Sequence, residues 1–117
     1  MKKILAELNQ EVGVRGSMVV TPDGIVVASD LGVGLQEDLV AAIASSAIQS
    51  IKRALADLGH EGLQQMIINS AHGKLVFVDI GVGYLVVVLD KRLNMDLTQI
   101  AISGAAYRIR NLSRIPT

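Results

Sequence analysis

The spacing of apolar residues changes several times along the chain, and each change marks an element. Residues 2–12 place Ile4, Leu5, Leu8 and Val12 at helical spacing, with Gly13 as a stop. This predicts a short amphipathic helix. Two Val- and Ile-rich runs follow in RGSMVVTPDGIVVASD, on either side of Thr21-Pro22-Asp23-Gly24. Pro presets φ, Asp bonds the backbone ahead and Gly accepts positive φ, so the segment predicts a β-hairpin. Leu31 to Gly34 reads as a loop. A second helix is predicted over residues 36–58, about six turns at 3.6 residues per turn. Glu37 and Asp38 favour its positive end, Lys52 and Arg53 lie toward its negative end, and Gly59 closes it.

From Glu61 the period shortens to two. Three runs in QQMIINSAHGKLVFVDIGVGYLVVVLDK are separated by turns at Ala71-His72-Gly73 and Gly81-Val82-Gly83. This is the pattern of an antiparallel meander. The first run, Glu61 to Ser70, puts Leu63 and Ile67 on one face and Met66 and Ile68 on the other. Asn94 is placed to cap a third helix, with Leu97, Ile100, Ala101, Gly104, Ala105, Ile109 and Leu112 as one face. The order is α-β-β-α-β-β-β-α. It predicts a single domain over residues 1–117, in the α+β class: a five-stranded antiparallel sheet with helices on both faces.

The second helix raises a particular question. LVAAIASSAIQSIKRALADLG is crowded with Ala and Ser, and small side chains admit another backbone. On a wheel, Val40, Ile43, Ala47, Ile51, Ala54 and Leu58 occupy one arc. Ala44, Ile48 and Leu55 extend it on one flank, with Ala41 just beyond. The arc spans roughly 140°, wider than the ~100° stripe of a helix that covers one neighbour. Two neighbours are implied: the chain's own sheet and something beside the helix. The first strand of the meander falls at a sheet edge, and no Pro or Lys guards its middle. An apolar, unguarded edge is a template for pairing. Together these predict a homodimer, with Ala41, Ala44, Ile48 and Leu55 of the helix and Met66 and Ile68 of the strand at its interface. The plainer alternative is that Ala and Ser supply helix propensity and a tight contact between helix and sheet.

Composition narrows the chemistry. Of 117 residues, half are apolar and three are aromatic, so Val, Ile, Leu and Ala must build the core. Eleven basic and eleven acidic residues give zero formal charge, without the basic field that nucleic-acid binding needs. There is no cysteine, which removes disulfides and thiolate chemistry. His60 and His72 have no companion at ligand spacing, so no metal is expected. Gly32-Val33-Gly34 precedes a helix but lacks the third glycine of a dinucleotide loop and the Gly-Lys-Ser/Thr ending of a P-loop. Asp23, Asp30, Asp79 and Asp90 are scattered among turns, and the helix serines have no neighbouring His, so no catalytic site or cofactor is expected. Arg108, Arg110 and Arg114 are cations near the negative end of a helix. Glu7 and Asn9 interrupt the N-terminal apolar run too early for a secretory h-region. The apolar stretch Leu75 to Leu89 is broken by Asp79, Gly81 and Gly83 and is shorter than the ~20 residues of a spanning helix. A cytoplasmic protein without membrane insertion is the expectation.

Three segments together resemble the Roadblock/dynein light chain family, in its bacterial MglB-like branch. They are VRGSMVVTPDGIVVASD, the Ala/Ser-rich helix, and LVFVDIGVGYLVVVLDKRLNMDLTQIAISGAAYRI. The resemblance covers nearly the whole chain and implies a Roadblock/profilin-like sandwich that forms a homodimer with one continuous sheet. It also implies a regulator of a small Ras-like GTPase that positions the GTPase's own catalytic groups and has no catalytic centre itself. The alternative is a non-catalytic adaptor or scaffold. A small-molecule sensor is disfavoured by the scarcity of pocket-lining aromatics and clustered polar groups. Gln49, Lys52 and Arg53, on the polar side of the second helix, are the expected partner-binding residues; their ordinary role is solvation of that face. The chain ends soon after its third helix, so activities tied to longer C-terminal extensions do not carry over.

Overall fold

A computed structural model describes residues 1–91 and 95–112. Its elements are α1 (Lys2–Leu8), β1 (Val14–Val20), β2 (Val26–Leu31), α2 (Glu37–Asp57), β3 (Gln65–Ser70), β4 (Gly73–Asp79), β5 (Tyr84–Leu89) and α3 (Met95–Leu112). The strands form one antiparallel sheet in the order β2-β1-β5-β4-β3. The hairpin β1–β2 and the meander β3–β4–β5 thus join through β1 and β5, and β3 lies at an edge, as its position after a crossover helix predicts.

Strand alternation feeds two cores. Val19, Val76, Leu85 and Val87 point to the face covered by α1 and α3, where they meet Leu5, Ile102 and Ile109. Met18, Val20, Phe77 and Val86 point to the other face and meet Ala41, Ala44 and Ile48 of α2. Burial on both faces is why β5 reads YLVVVL without alternation.

The β1–β2 connection is held by its own side chains. The Gly24 N–H donates to the Thr21 carbonyl at 3.0 Å, and Gly24 has φ +93°. The Thr21 hydroxyl donates to Asp23 Oδ1 at 2.6 Å and accepts from the Ile25 N–H at 3.0 Å. The same hydroxyl holds the Asp23 carboxyl below the usual carboxylate range. At the end of α2, Gly59 takes φ +72° while the His60 N–H reaches the Leu55 carbonyl at 2.8 Å, a glycine-terminated helix end.

Two boundaries and one helix face differ from the periodicity. The first helix ends at Leu8, and Val12 is exposed. Asn9 is the reason: its amide donates to the Asp30 carbonyl at 2.7 Å and its Oδ1 accepts from the buried Ser17 hydroxyl at 2.8 Å, which ties the chain to β1 and β2. The third strand begins at Gln65, so Leu63 does not share a face with Ile67; it packs under α2 near Met66. In α3 the inward residues are Thr98, Ile102, Ala105, Ala106 and Ile109. Of the expected face, Leu97, Ile100, Gly104 and Leu112 are exposed and Ala101 is half-buried. The correction has a tertiary cause: α3 shares its side of the sheet with α1, which lies along Ala101, Ala105 and Arg108. The Asn94 cap falls outside the described residues.

Candidate functional site

α2 is positioned from its N-terminal end and from one side. Glu37 Oε2 accepts from the Ser29 hydroxyl of β2 at 2.7 Å. The Pro22 carbonyl at the tip of the β1–β2 hairpin accepts from Ser45 Oγ and Gln49 Nε2, both at 2.9 Å. These bonds fix the rotation of the helix about its axis.

That rotation reverses the expected division of the apolar arc. Ala41, Ala44 and Ile48 are buried against the chain's own sheet, and Ile48 has 0% exposure. They have no surface to offer a second copy. Leu55 and Met66 are half-buried and pack against the same cluster. The small residues therefore admit the helix to its own sheet, the plainer of the two readings. The residues left outside are Ile43, at 50% exposure, Ile51, Ala54 and Leu58, at 69%. The wheel identified the breadth of this arc; in the folded chain Ala41, Ala44 and Ile48 face the chain's own sheet and Ile43, Ile51 and Leu58 face outward. The available signal was size: Ala sits where a helix must lie close to a sheet, and the bulkier residues stand off it.

The sheet leaves room beside this flank. Cross-strand register places Ile68, Leu75, Val88, Gly16 and Leu31 in one row on the α2 face. Ile68 is exposed, and Leu75, Val88 and Leu31 are only half-buried. The next row, through Met66, Phe77, Val86 and Met18, is the one α2 covers. The outer flank of α2, a partly open sheet row and the β3 edge together make a largely apolar surface. By length and composition α2 could pass for a membrane-crossing helix, and only 17% of its most apolar stretch is buried within the fold, so much of that stretch faces outward.

The polar side of α2 carries Gln49, Lys52 and Arg53, all exposed. Gln49 already has a task in holding Pro22, whereas Lys52 lines a cleft of about 390 Å³ beneath the C-terminal half of the helix. Leu55, Glu61, Leu63, Asp79 and Tyr84 also line it. Burial, and then the Asp79 charge, push the Tyr84 phenol above its ordinary value of 10.0. On the opposite face of the molecule Arg108 pairs with Glu7 and holds that carboxyl low, tying α3 to α1. Among the described residues no three His, Asp or Glu side chains are grouped to hold a metal ion. What this arrangement offers is contact surface.

The model of the Roadblock/LC7 domain matches residues 1–90. The chain belongs to the Roadblock/LC7 family. An uncharacterized protein of Methanocaldococcus jannaschii, MJ0714, is 43% identical over 108 residues, covering 92% of each chain. Two solved Roadblock-type structures resemble the fold closely. A Roadblock/LC7 domain from Streptomyces avermitilis has a TM-score of 0.85 at 18% identity and covers 98% of each chain. Myxococcus xanthus MglB has a TM-score of 0.88 at 16% identity, covering 99% of this chain and 90% of its own. At such identities the likeness is one of fold. It bears out the five-stranded Roadblock sandwich with its α-β-β-α-β-β-β-α order.

Proposed function

We propose that this Roadblock protein is a cytoplasmic homodimer that binds and regulates a small Ras-like GTPase and has no catalytic centre of its own. One observation carries the reading: α2 turns an apolar flank outward on the same face as the half-open sheet row that ends at Ile68 of β3, an edge strand with no neighbour on its outer side among the described residues. Water covers such a surface poorly, and a second copy covers it well. A stable interface buries ~800 Å² per partner, which one helix flank and one strand can supply. Membrane insertion is disfavoured, because Asp38, Gln49 and Arg53 lie on the same helix and its other side is packed on a sheet. In the dimer Ile43, Ile51 and Leu58 meet their counterparts, and Ile68 lies where the two β3 edges pair.

The partner class comes from family membership and the MglB-like fold. Roadblock proteins of the MglB-like branch act on a partner's catalytic groups, which fits a chain whose surface is made for contact. Lys52 and Arg53 are the side chains to meet the GTPase. Selectivity for the GTP state requires contacts that differ between the two nucleotide states, since equal affinity shifts nothing. The test is affinity for the GTP-analogue and GDP forms, measured with single-turnover hydrolysis by the GTPase. Preferential binding with faster hydrolysis supports regulation. Binding without a rate change supports the adaptor reading. Absence of binding to every small GTPase of the same genome sinks the regulatory reading.

A further inference from the structure

The cleft beneath the C-terminal half of α2 gathers polar groups that the fold itself does not employ. Tyr84 is 4% exposed, and its ring packs in the core under α2. A buried tyrosine hydroxyl ordinarily finds a hydrogen-bond partner. Among the described residues this one has none. No side-chain oxygen sealed from solvent lacks a partner there, so the hydroxyl opens into the cleft that Tyr84 lines. Burial, and then the Asp79 charge, keep its proton in place, which makes it a donor at neutral pH. Lys52 and Glu61 line the same cleft, and neither makes an ion pair with the other or with any described residue. Asp79 stands opposite Tyr84 in the β4–β5 register and is the fixed part of the wall. Arg110 Nε and Nη2 donate to its carbonyl at 3.1 and 2.8 Å, and its N–H donates to the Gln64 carbonyl at 2.9 Å. Its Oδ1 accepts from the Gly81 N–H at 2.8 Å, which leaves the second carboxylate oxygen uncommitted.

We infer that this cleft binds a small zwitterion with an ammonium group, a carboxylate and a short aliphatic body, an α-amino acid being the simplest such molecule. The ammonium meets Glu61 and the uncommitted oxygen of Asp79. The carboxylate meets the Lys52 ammonium and accepts from the Tyr84 hydroxyl. The aliphatic body lies on Leu55 and Leu63, which form the apolar wall. A simple amine would leave Lys52 unmatched, and a simple acid would set another negative charge beside Glu61 and Asp79. The volume of about 390 Å³ falls in the range of small-ligand cavities. Asp79 and Tyr84 are already held in place, so little ordering is required on binding. Sequence reading disfavoured a small-molecule site for want of clustered polar groups. The fold supplies the cluster by bringing α2, the segment before β3 and the facing ends of β4 and β5 to one place. This site does not rest on the GTPase reading.

Tyrosine emission tests it. In Tyr107→Phe the one remaining tyrosine is Tyr84, and the chain has no tryptophan, so the signal comes from the cleft. The probes are L-norleucine, pentylamine, which lacks the carboxylate, and hexanoate, which lacks the ammonium, each titrated to about 50 mM. Norleucine is expected to change the emission saturably, with both analogues binding about tenfold more weakly. Glu61→Gln in the same background should weaken norleucine about threefold, as expected for a solvent-exposed charge pair. Tyr84→Phe removes only the hydroxyl; calorimetry should show a loss of about threefold or more for norleucine, with circular dichroism verifying the fold. No saturable change in Tyr84 emission with norleucine would overturn the inference. Pentylamine or hexanoate binding as tightly as norleucine would overturn the zwitterion. Norleucine affinity unchanged in both Glu61→Gln and Tyr84→Phe would overturn the site.

Discussion

Ile43 and Ile48 are identical residues on one helix and do different work. Ile48 is sealed between α2 and the sheet beside Met18, Phe77 and Val86. Ile48→Ala removes buried methylenes and leaves a cavity, so it should lower unfolding free energy by about 2–5 kcal/mol. Ile43→Ala strips an exposed position and should change the isolated fold by less than about 0.5 kcal/mol. Urea unfolding of both variants under dissociating dilution checks the contrast, and equal losses would mean the helix is rotated from its described setting. Tyr84 offers a second check. Its raised phenol is a group bound more tightly to its proton in the folded state. The resulting stability is full below the unfolded value near 10 and is lost as pH rises through the folded value. In Tyr107→Phe, which leaves Tyr84 as the one tyrosine in a chain without tryptophan, the midpoint of phenolate absorbance should lie above the ordinary 10.0 while the fold persists.

α2 and α3 each have two apolar arcs to place, and that is where sequence reading reached its limit. For α2 the width of the arc pointed to two neighbours, but the wheel has no origin. Ser45 and Gln49 supply one by bonding the Pro22 carbonyl 23 and 27 residues away. For α3, α1 supplies it by occupying one side. The strands were more legible, because alternate positions on a two-sided sheet are equivalent once both faces are covered. β3 misled at its start, where residues 61–64 carry strand-like alternation without a strand. Gly104→Ala tests the outer arc of α3 at this scale. Replacing a bare helical glycine should stabilise the monomer by about 0.5–1 kcal/mol. A Cβ there meets nothing within 4 Å, so chemical denaturation should show the gain, and a loss of stability would mean that the chain needs the bare backbone.

The whole molecule is a sheet that displays one helical surface on each side, and the two surfaces can be cut separately. Ile51→Glu places a charge on the outer flank of α2, where burying it against a second copy would cost several kcal/mol. It should halve the particle mass seen by light scattering at micromolar concentration and abolish GTPase binding with it. A full-mass particle after this change would remove the α2 flank from the interface. The cost falls on association because Ile51 is exposed in the single chain. GTPase binding that survives Ile51→Glu, with the mass halved, would separate the partner site from the dimer.

The sequence by itself determined the order of elements, the hairpin and meander, the position of β3 at an edge and the absence of thiol chemistry. Each follows from local periodicity, turn residues or composition, which need no knowledge of distant neighbours. Only the tertiary structure decided which arc of α2 and of α3 faces inward. Rotation of a helix about its own axis is set by contacts far apart in the chain: Pro22 against Ser45 and Gln49, Asn9 against Ser17 and Asp30, α1 against Ala101 and Ala105. A hydrophobic pattern names the faces that must be covered; long-range packing decides which of them the chain covers itself and which it leaves for another molecule.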